Sequence, residues 1–285
     1  MLKKILICPT CQLSDNLLFN HNSLECNQCK EKFSIQSGKV IMIDIENNVI
    51  NKLPAKEPGT GSFWRRCNWQ FNKNLSKSIN PNKIVLEIGC GIGYFRPLFG
   101  ENYIGTDINL YDKADLIADI SKDNCLCPES IDVILMNNLL EHVYDYSNLL
   151  KNCINSLKKG GILLITVPYS SILHQVPIDF FRFSHYGLIN LMSEHNMSII
   201  KLEGVYSPIT QLNRSLRRIF EIEFKGYRNK VAKMIFQLMG FIASIGLKVL
   251  KGPLVNGTES LLDKNIVEAP SYFKSPIGYQ IIAKK

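Results

Sequence analysis

Residues 84–93 read IVLEIGCGIG, a short apolar run that leads directly into three glycines at alternate positions. An apolar run of this length is typical of a strand that is buried on both faces of a parallel sheet. Glycines after such a strand let the backbone bend sharply and approach a ligand, because they carry no Cβ. Asp107 ends the next predicted strand, where its carboxylate can accept hydrogen bonds from both ribose hydroxyls of an adenosine. The stretch therefore predicts a site for an adenosine-containing cofactor at the first turn of an α/β domain.

Strand and helix patterns continue on the C-terminal side of this turn. Six further strands are predicted, at residues 103–107, 116–119, 132–137, 161–167, 197–203 and 278–283, and the clearest helix at residues 148–158. Such alternation predicts a parallel sheet covered by helices. The core domain is expected to comprise residues 83–204 and 277–285. Residues 205–276 are too many for an unstructured loop and predict a helical insertion.

The first 45 residues contain two Cys-x-x-Cys pairs that are separated by fourteen residues. The four cysteines are Cys8, Cys11, Cys26 and Cys29. Thiolates at this spacing can converge on one Zn²⁺ and close a structural site, as in a zinc ribbon. The metal would supply folding energy to a module that is too small to build its own core. Buried cysteines without a metal are the alternative.

Residues 46–82 join the cysteine module to the core domain. Residues 46–61 are polar and contain proline and glycine, which predicts a linker. Aromatic and basic residues follow at 63–69 and predict a lid helix over the cofactor, with Trp69 pointing inward. Packing of this helix on the sheet edge is the alternative.

Residues 85–93 resemble motif I of the class I S-adenosylmethionine-dependent methyltransferases, whose pattern is E-x-G-x-G-x-G. Dinucleotide-binding dehydrogenases have G-x-G-x-x-G instead. Later segments resemble the same family: DVILMNN at 132–138, LEHV at 140–143 and LKKGGILLITVP at 157–168. The resemblance covers residues 83–203 and the last predicted strand, close to half of the chain.

This resemblance implies an enzyme that binds S-adenosylmethionine and transfers its methyl group. It also implies a Rossmann-like sheet of seven strands in the order 3-2-1-4-5-7-6, with the seventh strand antiparallel. The cofactor would lie over the carboxyl ends of the strands. By the same resemblance, ten residues are expected to contact it: Glu87, Gly89, Cys90, Gly91, Gly93, Asp107, Ile108, Asp119, Ile120 and Asn137.

Candidate catalytic residues lie in two segments beyond the cofactor motifs. His142 follows the fourth predicted strand and is a candidate general base, since imidazole titrates near neutrality; a packing role at a helix start is the alternative. Residues 174–187 resemble the H-x-x-P-x-D-x-x-R-[FY] segment of a branch of this family whose members often appear in cell-envelope or quinone pathways. Acceptor binding is therefore predicted for four of its residues, His174, Asp179, Arg182 and His185. A structural pair of Asp179 with Arg182 is the alternative. A metal site formed by His174, Asp179 and His185 is a further hypothesis, although their spacing is not diagnostic.

The predicted insertion is both basic and apolar. Residues 205–260 contain nine lysines and arginines against three acids. Residues 212–220 share an apolar helical face, and residues 234–247 form an uncharged apolar run. Since a membrane span needs about 20 apolar residues, three alternatives stay open for 210–251. They are contact with a membrane surface, a buried cap over the substrate, and a span of residues 231–250.

Charge and cysteine content limit the cellular setting. The chain has 285 residues and a formal net charge of +8, which permits contact with nucleic acids or anionic membranes without establishing either. Nine cysteines, an odd number, and an N-terminus without a secretory pattern predict a reducing compartment. We therefore expect a cytoplasmic protein, or one that is peripheral at the inner face of the membrane.

Three functions compete for this sequence. The leading one is methylation of a small-molecule or lipid-linked acceptor of quinone or cell-envelope type. An rRNA methyltransferase is the alternative, because some of these enzymes join a four-cysteine module to this domain. Against it, residues 137–140 read NNLL and not N/D-P-P-[FY], and the basic residues lie beside an apolar segment. A non-catalytic scaffold that binds S-adenosylmethionine is the third hypothesis, which the intact motif I and Asp107 disfavour.

Overall fold

The computed structural model describes residues 1–13, 16–45, 56–207, 257–260 and 276–285. It also describes the single residues 50, 54, 211, 234 and 238. Within these residues, twelve strands form one mixed sheet, and three α-helices pack on it.

The regular elements follow in chain order. The helices are α1 (Phe63–Ser78), α2 (Tyr146–Ser156) and α3 (His185–Glu194). The strands are β1 (Leu17–Phe19), β2 (Ser23–Cys26), β3 (Lys32–Gln36), β4 (Lys39–Ile41), β5 (Val85–Ile88), β6 (Tyr103–Asp107), β7 (Leu116–Ile117), β8 (Ile131–Asn137), β9 (Leu157–Pro168), β10 (Ser198–Tyr206), β11 (Gly257–Ser260) and β12 (Gly278–Lys284).

The sheet has the order β1-β2-β3-β4-β7-β6-β5-β8-β9-β12-β10-β11. Strands β7, β6, β5, β8 and β9 are parallel, and β12 is antiparallel to both of its neighbours, β9 and β10. The seven strands from β7 to β10 are those expected from the sequence, and numbered along the chain they lie in the order 3-2-1-4-5-7-6. The expected count of seven is wrong for the whole sheet, because four strands extend it beyond β7 and one extends it beyond β10.

Two apolar layers cover the central strands, and successive residues alternate between them. Leu86 of β5 packs in the layer that contains α2 and α3. Its neighbour Val85 packs in the layer that contains Phe71 and Leu75 of α1. This period of two is the pattern of a strand that is buried on both faces, and it explains why residues 84–88 show no polar alternation.

The N-terminal module is part of the sheet and not a separate body. Strands β1–β4 form an antiparallel meander, and β4 pairs in parallel with β7 through Val40 with Leu116 and Ile41 with Ile117. Lys39 strengthens this junction: its buried ammonium group donates to the carbonyl oxygens of Asp112 and Ala114 at 2.7 and 2.9 Å. The module expected as residues 1–45 therefore shares its sheet with the core domain.

Several predicted boundaries differ from the structure. The helix expected at residues 148–158 ends at Ser156, because β9 already begins at Leu157. The insertion expected to be helical contains β11, which pairs antiparallel with β10. The predicted apolar helical face at 212–220 lies outside the described residues, as does nearly all of the apolar run 234–247. Among the residues that the structure describes, no helix is long and apolar enough to cross a membrane.

Replacing Lys39 by methionine is expected to loosen the attachment of the cysteine module. Two buried carbonyl groups would lose their ammonium donor, which costs about 1–3 kcal/mol. Urea unfolding should show a loss of that size. Hydrogen exchange should accelerate at the Val40 amide, which bonds to the carbonyl of Asp115 in the β4–β7 junction.

Lys32→Met is the matched control, because 67% of the Lys32 side chain is exposed. Its effect should stay within about 0.5 kcal/mol. Equal losses in the two variants would contradict a specific role of Lys39 at the junction.

Candidate functional site

The glycine turn after β5 has the backbone conformation that its sequence predicts. Gly89 and Gly91 have φ angles of +70° and +49°, which residues other than glycine rarely adopt. A Cβ on Gly89 would lie 2.7 Å from the Leu139 side chain, whereas a Cβ on Gly91 would meet no atom within 4 Å. Gly91 therefore presents bare backbone to open space, as a turn that approaches a ligand must.

Asp107, at the end of β6, holds this turn in place. Its Oδ2 atom accepts a hydrogen bond from the Gly91 amide at 2.9 Å, and its Oδ1 atom accepts from the amide of Asn109 at 2.9 Å. Burial raises the pKa of the Asp107 carboxyl group, while these donors oppose the shift. The predicted ribose-binding acid is thus also the group that orients the glycine turn.

A cavity of about 280 Å³ lies beside the turn, at the carboxyl ends of β5 and β8. Its walls come from α1, the glycine turn and the two residues that end and follow β8. The lining residues are Lys56, Ser62, Trp64, Arg65, Asn68, Glu87, Gly89, Cys90, Gly91, Ile92, Tyr94, Phe95, Asn137 and Asn138. Five of the ten predicted cofactor residues are among them.

The other predicted cofactor residues lie elsewhere. Ile108 and Asp119 line a second, larger cleft of about 1360 Å³, whose opposite wall includes residues 41–45 of the cysteine module. A Cβ on Gly93 would lie 2.7 Å from the Lys113 side chain. Ile120 is buried in the apolar core and lines neither cavity, because its side chain points into the layer with α2.

Glu87 is the carboxyl group in the wall of the smaller cavity, and it is fully enclosed. Tyr103 donates its hydroxyl hydrogen to Glu87, and Asn137 donates to its Oε1 atom at 3.2 Å. Burial raises the pKa of Glu87 to about 7, against the opposing effect of these two donors. Its charge therefore changes in the neutral pH range and depends on what fills the cavity.

Helix α1 turns a polar face toward this site. Asn72 donates to Asn137 at 2.9 Å, and Asn68 accepts from Gln280 of β12 at 2.7 Å. Trp64 donates its indole hydrogen to Asn138 at 2.7 Å. Since Trp64, Asn68 and Asn72 are four residues apart, they lie on one side of the helix.

Trp69 does not line the cavity, contrary to the sequence-based expectation for this helix. Its ring packs against Tyr94 and Phe95, at centroid distances of 5.1 and 6.2 Å. The inward-pointing tryptophan is Trp64. Trp64 lies four residues before the buried Asn68, on the same side of the helix, and Trp69 does not. Because the sequence does not show that Asn68 is buried, it carries no signal that separates the two tryptophans.

Glu141, His142 and His174 come together after the end of β8, although 31 residues lie between the two histidines. The Nε2 atoms of His142 and His174 lie 3.7 and 3.9 Å from the Oε1 atom of Glu141. Burial raises the pKa of Glu141 to about 8 and lowers that of His142. His142 and His174 were predicted site residues, whereas Glu141 was not singled out as a reactive group.

Asp179 and Arg182 form a closed pair within the loop that follows β9. Arg182 donates to both carboxylate oxygens of Asp179 at 2.6 and 2.7 Å, and Asp179 accepts from the His174 amide at 2.8 Å. The guanidinium group holds the pKa of Asp179 well below its usual range. The pair therefore shapes the loop around His174. This is the structural role that the sequence analysis gave as the alternative to acceptor binding for Asp179 and Arg182.

His185 lies apart from this cluster. Its ring contacts Tyr186, and its Nδ1 atom is 3.4 Å from the Tyr279 hydroxyl of β12. Burial lowers the pKa of the His185 imidazole. The structure thus brings His142, His174, Asp179 and Arg182 together and leaves His185 outside the group.

The four N-terminal cysteines converge on one point. Their Sγ atoms all lie within 4.8 Å of one another, with 3.5 Å between Cys8 and Cys29 and between Cys11 and Cys26. A tetrahedral zinc ion with Zn–S bonds of about 2.3 Å requires sulfur separations of about 3.8 Å. The thiol set therefore fits a four-coordinate soft metal.

The two cysteine turns repeat the same backbone geometry. The amide four residues after the first cysteine of each pair bonds to that cysteine's carbonyl: Gln12 to Cys8 at 2.9 Å and Lys30 to Cys26 at 3.0 Å. Both donors have positive φ angles, +58° and +66°. Backbone donors in the second turn lower the pKa of Cys26 to about 7, which favours the thiolate that a metal needs.

The central part of the chain is similar to known methyltransferases. Residues 64–199 match a family model described as a methyltransferase domain. A Mycolicibacterium smegmatis protein, named "Probable S-adenosylmethionine-dependent methyltransferase", is 28% identical over 143 residues, which are 41% of this chain and 54% of that protein. The chain thus spans about half the length of this relative.

Solved structures with a similar fold share little sequence with the chain. One is a methyltransferase from Thermotoga maritima with 16% identity and a TM-score of 0.46, covering 78% of this chain and 91% of that one. Another comes from Archaeoglobus fulgidus, with 19% identity and a TM-score of 0.42, covering 79% of this chain and all of that one.

Glu87→Gln is expected to change how stability depends on pH. The pKa of Glu87 is raised from its ordinary 4.5 to about 7 in the folded chain. Its contribution to stability is therefore fully present below pH 4.5 and is lost as the pH rises through 7. The variant lacks this titration, so its stability relative to the wild type should rise by about 3 kcal/mol between pH 4.5 and pH 8.

Urea unfolding at a series of pH values measures this difference. Glu101→Gln, at an exposed position, gives the effect of the same substitution on the surface. A difference between Glu87→Gln and the wild type that stays constant with pH would contradict the raised pKa.

Proposed function

We propose that this chain, whose residues 64–199 are an S-adenosylmethionine-dependent methyltransferase domain, methylates a small apolar or lipid-linked acceptor. The acceptor class rests on one observation, an exposed apolar surface on the loop that follows β9. A quinone or a cell-envelope lipid precursor has the required character, a polar atom to methylate on an apolar body.

The glycine turn, Asp107 and Glu87 would bind the cofactor. When bound, S-adenosylmethionine supplies a methyl group on a positively charged sulfur, which an acceptor can displace in line. Asp107 would accept hydrogen bonds from the ribose hydroxyls. Glu87, once ionised, would face the cationic methionine end in the smaller cavity. Trp64 and Asn138 would close that cavity against water and so help to position the reactants.

The apolar surface has an unusual concentration of exposed side chains. Leu173 and Val176 are 70% and 71% exposed. Ile172, Ile178 and Phe180 of the same loop are also exposed, and the exposed ring of Tyr144 contacts Phe180 at a centroid distance of 5.6 Å. Because exposed apolar side chains are costly in water, their concentration in one loop is typical of a binding site for an apolar partner.

This surface lies at the catalytic edge of the sheet. The loop leaves the carboxyl end of β9, next to the end of β8 whose residues Asn137 and Asn138 line the cofactor cavity. The amide of Phe180 bonds to the Glu141 carbonyl at 2.8 Å, which fixes the loop to the segment after β8. An acceptor on the loop would therefore direct its polar end toward Glu141, His142 and His174.

Within this proposal the predicted catalytic residues have different tasks. His142 and His174 would contact the polar end of the acceptor. Asp179 and Arg182 would be positioning residues, because their hydrogen bonds are satisfied by each other and by the loop. His185, which contacts Tyr279, is assigned no step.

The four cysteines are proposed to hold a structural Zn²⁺. Four thiolates leave no open coordination position, so the ion would stabilise the module without taking part in chemistry. Its effect would extend to the larger cleft, because residues 41–45 form one wall of that cleft. Peripheral attachment to a membrane through residues 210–251 stays part of the proposal.

Binding of S-adenosylmethionine should depend on Asp107. We expect Asp107→Asn to weaken the affinity by about 10- to 100-fold, because hydrogen bonds to a charged group contribute about 1.5–3 kcal/mol. Isothermal titration calorimetry measures the change. Asp145→Asn is the matched control, since Asp145 caps α2 and asparagine is an equally good cap.

An unchanged affinity in Asp107→Asn, or no binding by the folded wild type, would contradict the cofactor assignment. Binding that weakens equally in both variants would indicate a general loss of structure. Circular dichroism of each variant checks that possibility directly.

Methyl transfer should label lipid and not RNA. The wild type is incubated with methyl-labelled S-adenosylmethionine and either bacterial lipid extract in detergent micelles or purified rRNA. The double variant Leu173→Ser, Val176→Ser should lower lipid labelling at least tenfold, since burial of each side chain contributes about 1.5–3 kcal/mol. Ile200→Ser, on an exposed position of β10, is the matched control.

Label in rRNA with none in lipid would refute the acceptor class while leaving the cofactor assignment intact. Equal lipid labelling by the double variant and the wild type would refute the role of the apolar surface.

A further inference from the structure

We propose that Glu141, His142 and His174 bind one divalent transition-metal ion beside the acceptor loop, separate from the four-cysteine site. The ligand set would be one carboxylate and two imidazoles. This combination suits Zn²⁺ and Fe²⁺ better than the hard cations Mg²⁺ and Ca²⁺, which prefer oxygen ligands.

The three ligand atoms are close enough to share an ion. One ligand atom from each of the three residues lies within 4.8 Å of the other two. The Oε1 atom of Glu141 is 3.7 Å from His142 Nε2 and 3.9 Å from His174 Nε2. Bonds of about 2.0–2.2 Å around a tetrahedral ion require ligand separations of about 3.4 Å. Binding would therefore need shifts of only a few tenths of an ångström at these two contacts.

Each histidine has its second ring nitrogen occupied, which turns the first toward the site. His142 Nδ1 is 2.6 Å from the Ile178 carbonyl oxygen. Because a carbonyl can only accept, Nδ1 carries the hydrogen and Nε2 keeps its lone pair. His174 Nδ1 is 3.2 Å from the Asp179 carboxylate and 3.2 Å from the Ile172 carbonyl, so the same argument holds for it.

This arrangement is the one that metal-binding histidines need. A ligating imidazole usually donates its other N–H group to a carbonyl or carboxylate, which fixes the tautomer and the ring orientation. Here Arg182 holds Asp179 through two hydrogen bonds, and Asp179 in turn faces His174. The pair of charged residues therefore acts as a support for the second ligand.

The buried side chain of Glu141 is an independent observation that supports a bound cation. Its side chain has no solvent exposure, and neither carboxylate oxygen has a hydrogen-bond partner among the described residues. The Nε2 atom of His142 is likewise buried and unpartnered. A buried carboxylate is strongly unfavourable unless it is paired or coordinates a metal, and a cation between these atoms would satisfy all of them.

The site is open on one side only. Glu141 and His142 are enclosed, whereas the His174 side chain is 35% exposed and lies on the acceptor loop. Three protein ligands leave at least one coordination position free, as in catalytic zinc sites. That position would be available to an oxygen or nitrogen atom of the acceptor, a role that rests on the proposed function, whereas metal binding itself does not.

Cobalt titration of the full-length chain tests the proposal. The protein is stripped of metal under reducing conditions and titrated with Co²⁺, with absorbance and bound metal per chain measured together. We expect two equivalents in the wild type: one with intense sulfur-to-cobalt absorption from the four cysteines, and one that adds only weak visible bands. Glu141→Gln and His174→Ala should each bind one equivalent, with the sulfur bands unchanged.

Two further variants complete the design. Cys26→Ser should lose the sulfur bands while the weak bands persist. His195→Ala removes a histidine outside the cluster and should still bind two equivalents. Preserved sulfur bands and circular dichroism in Glu141→Gln, which nearly conserves side-chain shape, exclude misfolding as the cause of a lost equivalent.

One equivalent in the wild type, entirely of the sulfur type, would overturn the proposal. Two equivalents in both Glu141→Gln and His174→Ala would overturn it equally. Calorimetry with S-adenosylmethionine on the same samples separates this result from the proposed function. Loss of cofactor binding would refute the methyltransferase proposal without changing the metal count.

Discussion

The site depends on a buried chain of hydrogen bonds centred on the side-chain amide of Asn137. This amide, at the end of β8, contacts Asn72 of α1, Glu87 of β5 and Thr166 of β9. A buried polar group that loses its partner carries a large penalty, so these four elements are held in one relative position. The smaller cavity is the space that this arrangement leaves above the strands. Glu87 in its wall is the group most sensitive to what fills the cavity, because its pKa lies near 7.

Local patterns predict the centre of this structure well. The apolar strand, the glycine turn and Asp107 lie within 24 residues, and each has a direct backbone or hydrogen-bonding reason for its residue type. The attachment of the cysteine module could not be predicted, because two residue pairs join β4 to β7 across more than 70 positions. Nothing in the sequence of β4 or of β7 indicates that the two strands pair. Trp69 was the wrong choice of inward-facing tryptophan, because the sequence does not show that the side of α1 with Trp64 and Asn68 faces the cavity.

The group formed by Glu141, His142 and His174 also depends on both local sequence and long-range folding. His142 and His174 each stand out in sequence, but their approach to Glu141 depends on a loop that folds back after β9. Asp179 and Arg182, which read equally well as acceptor ligands, prove to be fully engaged with each other and with that loop. Such a bidentate pair is specific in geometry, and its role here is to keep a long connection, rich in exposed apolar side chains, in a single shape next to the end of β8.

The position of β12 has a consequence for how the chain is made. Residues 278–284 lie between β9 and β10 and pair with both along their whole length. Without them, β10 is not joined to β9 and the sheet is interrupted at this position. During synthesis both neighbours leave the ribosome first, each with an unpaired edge, and exposed edges readily pair with the wrong partner. The position between β9 and β10 therefore stays empty until residues 278–284 have been synthesised, and the sheet closes only after β12 has paired with both neighbours.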